Sequence, residues 1–284
     1  MSNQKTVAAI HDLSGMGKCS LTGAIPVLSC AGASVSVLPT AVLSTQTGGM
    51  TGYTYCDLTS EMRPVMNHWK SLNVRFDAVY SGFLGSKEQI DIVIDFVRNF
   101  SQKDTVYLCD PAMADNGELY SVFDNDFVSY MKNLCMNADI IVPNLTEAFL
   151  LLDMKYSPPP YKKEDIEHLV KALAKKYNAR YIVLTGVDFD GKSVGAASYN
   201  VVNDSISYSL RPRIDGMFHS TGDLFASSLL GGILNGFSVD IATEKAIDFT
   251  VSAIKETVKD NGDSRFGLSF EPCLPAYMKS LEII

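Results

Sequence analysis

Residues 219–236, HSTGDLFASSLLGGILNG, combine features that group transfer requires. Ser220, Thr221 and Gly222 lead directly into an apolar, helix-forming stretch rich in Ala, Ser and Gly. Small residues at a helix start leave several backbone N–H groups free, and the helix dipole adds partial positive charge, so the spot suits an anion. Asp223 is out of place if the site only binds an anion, because like charges repel. It fits if its carboxylate faces an acceptor hydroxyl and takes the proton while the amides hold the group being transferred. Phosphoryl transfer needs that pairing of positioning and charge stabilisation. The segment also has a plain explanation, with Ser220 or Thr221 as the N-cap and Asp223 in the first turn. A second glycine-and-lysine stretch, LSGMGKCSLTG (13–23), fails as a P-loop. Asp12 stands where the first glycine belongs, and Cys19 where a hydroxyl should hold magnesium. Gly15 and Gly17 then read as a tight turn that starts a helix and walls a pocket, and Lys18 as a surface residue.

These groups need a frame. The runs 6–10, 34–39, 77–82, 105–111, 138–144 and 180–186 are short, β-branched and nearly continuous in apolar character, as in strands buried on both faces. Helical patterns at 18–30, 57–70, 86–101, 120–133, 146–153 and 164–177 alternate with them. A hairpin over 193–210 turns at Asn203-Asp204, and helices follow at 222–236 and 239–258. The alternation predicts a three-layer α/β/α domain with a mostly parallel central sheet, spanning 1–284 as one unit without a large separate lid. Ligands of such sheets gather outside the carboxyl ends of the strands. The residues there are mostly polar: His11, Asp12 and Ser14; Ser44 to Thr47; Phe83; Asp110, Asp115 and Asn116; Asn144, Thr146 and Glu147; Thr185 and Gly186. His11 can face a substrate or cap a loop. Asp110 and Glu147, two carboxylates at strand ends on one edge, suit magnesium.

Composition narrows the class. The chain has 284 residues, 46% of them apolar, and a net charge of −8. That charge argues against nucleic acid and against an anionic membrane surface as partners. No run of about 18 apolar residues occurs, which predicts no membrane span. Six cysteines without a CxxC pair point away from a zinc site and towards reduced thiols in the cytoplasm.

Five motifs, in order, resemble the pyridoxal kinase branch of the ribokinase-like superfamily. STGDLFAS is similar to the GTGD signature. STQTGG is similar to the second-strand loop, with Thr47 at a threonine that contacts the pyridine substrate. SGFLGS resembles SGYLGS, CDPAMADNG resembles CDPVMGD-G, and PNLTEAFLL resembles the PN-x-x-E metal-region motif. The resemblance implies ATP-dependent phosphorylation of the hydroxymethyl group of pyridoxal, pyridoxine or pyridoxamine. It implies Asp223 as general base, the amides of Ser220 to Asp223 as the anion hole, and Glu147, Asn144 and Asp110 around Mg²⁺ and its waters. Thr185, Gly186 and Asp115 then lie on the nucleotide side, with Asn144 bordering it, and His11, Asp12, Thr47 and Phe83 on the vitamer side. K⁺ is a further cation, and a soluble homodimer the expected assembly. Three positions depart from the pattern: Ser220 replaces the first signature glycine, Phe83 replaces a tyrosine, and Ile10 ends the first strand where a serine is common. Hydroxymethylpyrimidine kinases of thiamine biosynthesis form a neighbouring branch that usually carries cysteine at the position of Asp223. A sugar kinase would show an N-terminal sugar-binding pattern and a β-sheet lid. A noncatalytic vitamer-binding protein is the reading that Ser220 alone would favour.

Overall fold

The computed structural model describes residues 4–284. Eight strands form the central sheet: β1 (Thr6–Ile10), β3 (Ser34–Val37), β6 (Ala78–Ser81), β7 (Val106–Cys109), β10 (Ile140–Ile141), β11 (Tyr181–Val187), β12 (Ser193–Asn200) and β13 (Ser205–Pro212). Their order is β13-β12-β11-β10-β7-β6-β1-β3. The six strands from β3 to β11 run parallel, and β12 and β13 close one edge as an antiparallel hairpin. The hairpin turns through residues 201–204, where Asp204 takes φ 48°.

Alternation along each strand builds two cores. Val7, Ala78 and Tyr80 pack with Ala24 and Leu28 of α1 (Leu21–Cys30), Phe225 and Leu229 of α7 (Thr221–Leu234) and Ala246 of α8 (Val239–Lys259). Ala8, Ile10 and Val79 face the opposite way, towards α2 (Thr59–Ser71), α3 (Lys87–Phe100), α4 (Asn125–Cys135), α5 (Leu145–Leu151) and α6 (Lys163–Tyr177). A side-chain period of two thus turns a continuous apolar run into a sheet covered on both sides. A terminal helix, α9 (Leu274–Ser280), packs through Tyr277 with Val27 and Phe249.

Two small sheets complete the molecule. One has the order β2-β4-β5, from Leu13–Met16, Ala41–Thr45 and Tyr55–Asp57, and the other is the ribbon of β8 (Ala114–Asp115) and β9 (Glu118–Leu119). The sequence had predicted a turn over 13–17; Leu13 and Ser14 instead pair with Val42 and Leu43 of β4. Gly17, at φ 106°, ends this strand, and α1 begins at Leu21, later than the expected 18. Likewise α4 starts at Asn125, after 120, because the Asp124 carboxylate accepts from the Phe127 N–H at 2.8 Å and fixes the N-cap there.

The chain enters the sheet at β1, steps to β3 on one side, then passes to β6 on the other. Strand order therefore reverses around β1 and β6, and a crevice outside their carboxyl ends is where a parallel sheet accommodates a ligand. His11 and Asp12 follow β1, Gly82 and Phe83 follow β6, and Asp110 follows β7 beside it.

Candidate active site

The start of α7 is built unusually. Ser220 precedes the helix at φ 65°, ψ 14°, a left-handed conformation in which a side chain costs roughly 1–2 kcal/mol. Its hydroxyl makes no capping bond and contacts the Cys19 thiol. The Ser220 carbonyl takes the Leu224 N–H at 3.2 Å. The N–H groups of Thr221, Gly222 and Asp223 therefore stand ahead of the first intrahelical bond, as an anion cradle requires.

Asp223 Oδ2 accepts from the Ser20 N–H at 2.9 Å, and the Ser20 hydroxyl donates to Asp12 Oδ1 at 2.5 Å. Ser14 donates to the other Asp12 oxygen at 3.3 Å. The loop between β2 and α1 thus joins two carboxylates through one serine. Burial pushes the Asp223 carboxyl up to about 7; the Ser20 amide opposes this rise and the charge on Asp12 adds to it. Burial also raises Asp12, against the two serine hydroxyls. The same burial pushes the Cys19 thiol up to about 12, so it is a neutral thiol packed against the cradle.

Asp110 faces the cradle from β7: a Cβ on Gly222 would lie 3.9 Å from its Oδ2. Burial, and then the charge of Asp223, raise its carboxyl well above the usual range. Glu147 is raised by burial first and by Asp110 second, so these carboxylates share one electrostatic neighbourhood. Glu147 also closes a capping box on α5. Its Oε2 accepts from the Asn144 N–H at 2.8 Å, its amide donates to Asn144 Oδ1 at 3.0 Å, and its Oε1 accepts from Met113 N–H at 3.1 Å. The Asn144 amide group donates to the Ala114 carbonyl at 2.8 Å. Thr185 donates its N–H to the Pro143 carbonyl at 2.9 Å and bridges Asn144, and Gly186 follows at φ 77° in a bulge. Asp115 is exposed on the adjoining ribbon, its oxygens holding the Asn116 amides at 2.8 and 3.0 Å.

The remaining expected residues are dispersed. His11 has no exposed surface; its ring meets Tyr80 edge-on at 4.2 Å, and neither nitrogen has a protein partner. Burial lowers its pKa to about 3, so it is neutral. Phe83 is half-buried 5.5 Å from Phe123. Thr47 is half-buried in a loop whose Gln46 side chain donates to the Arg265 carbonyl. Lys18 points away from the cradle, paired with Glu271 at 2.6 Å and lying over Phe270.

Several neighbours of the site have no signal in the sequence. Tyr80 lies under it with a buried, unpartnered hydroxyl that feels the charges of Asp110 and Asp223. Tyr120 feels Glu147, Asp110 and Asp115 in turn. Tyr55 sends its hydroxyl from β5 to within 2.2 Å of where a Gly85 Cβ would be, so glycine at 85 makes room for it. His219 flanks the Thr47 loop.

Among the described residues, no group of three or more His, Cys, Asp or Glu side chains is arranged to hold a metal alone. Two recessed carboxylates, both raised by burial and Glu147 further by the charge of Asp110, nevertheless suit Mg²⁺, which retains several waters and takes one or two carboxylates plus phosphate oxygens. Asp110 would hold it directly, and Glu147, whose oxygens already serve backbone amides, through water.

Residues 25–265 match the phosphomethylpyrimidine kinase family. A crystal structure from Bacteroides thetaiotaomicron, provisionally assigned as a phosphomethylpyrimidine kinase and solved with pyridoxal, is 37% identical. It covers 99% of this chain and 96% of its own, with a TM-score of 0.91. Pyridoxal kinase from Lactobacillus plantarum is 29% identical, covers 98% of both chains and gives a TM-score of 0.89. Pyridoxal kinase from Dictyostelium discoideum is 29% identical over 201 residues, which is 66% of this chain and 64% of that protein.

Proposed function

The chain belongs to the phosphomethylpyrimidine kinase family, and from that premise we propose that it phosphorylates the hydroxymethyl group of a B6 vitamer at the expense of ATP. The observation that carries this reading is Asp223: a carboxyl raised to about 7 at the mouth of an uncapped helix start. Such a group is a base matched to neutral pH. It takes the hydroxyl proton, the freed oxygen bonds to the γ-phosphorus, and the bond to ADP breaks. The amides of Thr221, Gly222 and Asp223 stabilise the charge on the transferring group. Asp110, Glu147 and Asn144 serve the magnesium side, with Thr185, Gly186 and Asp115 towards the nucleotide. Mg²⁺ neutralises phosphate charge when bound. In this reading Asp12, Thr47, Phe83 and His11 belong to the vitamer side, His11 being buried against Tyr80. The pyridoxal kinase names among the similar proteins, and the pyridoxal in one of the solved structures, support the acceptor class. Six free thiols fit a reducing, cytoplasmic setting, and no helix of the described residues is long and apolar enough to cross a membrane.

The family name keeps one other acceptor in play, a hydroxymethylpyrimidine. ADP release measured with pyridoxal, pyridoxine, pyridoxamine and hydroxymethylpyrimidine separates the two: turnover is expected with a vitamer and not with the pyrimidine. Asp223→Asn should lower kcat by at least about 100-fold, the usual worth of a general base, with nucleotide affinity nearly unchanged. Full turnover in that variant would remove Asp223 from its role.

A further inference from the structure

The acceptor loop and the phosphate cradle meet at one imidazole. A Cβ on Gly48 would lie 2.9 Å from His219 Nδ1 and 3.3 Å from its Cε1, and one on Gly49 would lie 3.2 Å from Nε2. Glycine at both positions is what lets the loop seat against the ring. Arg265 holds the other side of that loop: its Cγ is 3.4 Å from the same Gly49 position, and its carbonyl accepts from the Gln46 side chain. Asp263 pairs with Arg265 at 2.6 Å and feels the charge of His219. Between Gln46 and Gly48 stands Thr47. On the other side, the His219 backbone leads straight into Ser220, whose left-handed φ of 65° sets up the three free amides. A serine has few alternative backbone wells near that one. A displacement of the His219 backbone is therefore shared between the acceptor loop, through the ring, and the cradle, through Ser220.

We propose that His219 is a positioning residue that couples the acceptor loop to the phosphate cradle, so that filling either half of the site tightens the other. The proposal rests on the reading above that Thr47 contacts the acceptor. Reciprocity follows from linkage: if pyridoxal improves nucleotide affinity, the nucleotide improves pyridoxal affinity by the same factor.

The test titrates pyridoxal into the full chain with and without a non-hydrolysable ATP analogue and Mg²⁺. The parent should bind pyridoxal about 5-fold or more tighter when the nucleotide is present, the low end of typical coupling. In His219→Ala that factor should fall below about 2-fold, while the affinity for each ligand alone stays within about 2-fold of the parent. Gly48→Ala approaches the same contact from the loop, needs no positive φ, and should lose the coupling in the same way. Absence of coupling in the parent, or full coupling in both variants, overturns the proposal. A parent that binds none of the vitamers overturns the functional reading and the coupling with it; a vitamer-binding parent with unaltered coupling in the variants overturns the coupling alone.

Discussion

The role proposed for Asp223 as the base makes a directional prediction from its environment. A base works only when deprotonated. With its carboxyl raised to about 7, kcat/KM of the free enzyme should fall as pH drops through that value and level off above it. A pH profile flat down to the ordinary carboxylate range, about 4, would contradict this. Ser220 gives a second prediction. Replacing it with glycine removes the left-handed penalty, which outweighs the freedom that glycine adds to the unfolded chain. A gain of about 0.5–1 kcal/mol is expected, a rise in Tm of about 1–3 °C. Calorimetry of Ser220→Gly, with turnover unchanged or improved, checks it. The helix start and its first-turn aspartate were legible in the sequence because helix-start chemistry is local. Ser20 was not, since its amide reaches Asp223 across 203 residues of chain. Tyr80 and His219 escaped for the same reason. His11 follows β1 as the sequence placed it, but the sequence could not show that Gly82 and Tyr80 would enclose it.

At the scale of elements, the strands of the main sheet were readable because each is a continuous apolar run, and the hairpin because Asn203-Asp204 marks its turn. The small sheet of β2, β4 and β5 was not. All three residues of β5 are exposed, and β2 contains Gly15 and is buried only at Ser14, so neither shows an apolar period. What holds this sheet in place is tertiary. Tyr55 reaches from β5 to Gly85 in the loop after β6, and burial with the nearby charges of Asp57 and Asp12 pushes its phenol up to about 12. Gly85→Ala would put a methyl 2.2 Å from that hydroxyl, so the Tyr55 side chain would have to leave this position. The expected result is a KM for the vitamer several-fold higher, with the KM for ATP little changed; steady-state kinetics with each substrate varied in turn will decide.

For the whole molecule, a net charge of −8 and a site that concentrates Asp12, Asp110, Glu147 and Asp223 oppose the binding of a polyanionic nucleotide. Stabilisation by nucleotide should therefore depend on the cation. At 100 times its dissociation constant a ligand stabilises by about 2.7 kcal/mol. Mg²⁺ with a non-hydrolysable nucleotide should raise Tm by about 5 °C or more, and the nucleotide with a chelator by much less. Equal shifts in a thermal melt would show that no cation is recruited by these carboxylates.

The capping box on α5 bears on how an inert form of the protein is made for soaking experiments. Glu147 holds two backbone amides of its own neighbourhood as well as facing the charged site. Shortening it would unfasten the start of a seven-residue helix together with the ribbon that follows Met113. A silenced yet intact template for crystallography is better engineered at Asp223, where the side chain carries a single bond, to Ser20, and the scaffold does not hang from it.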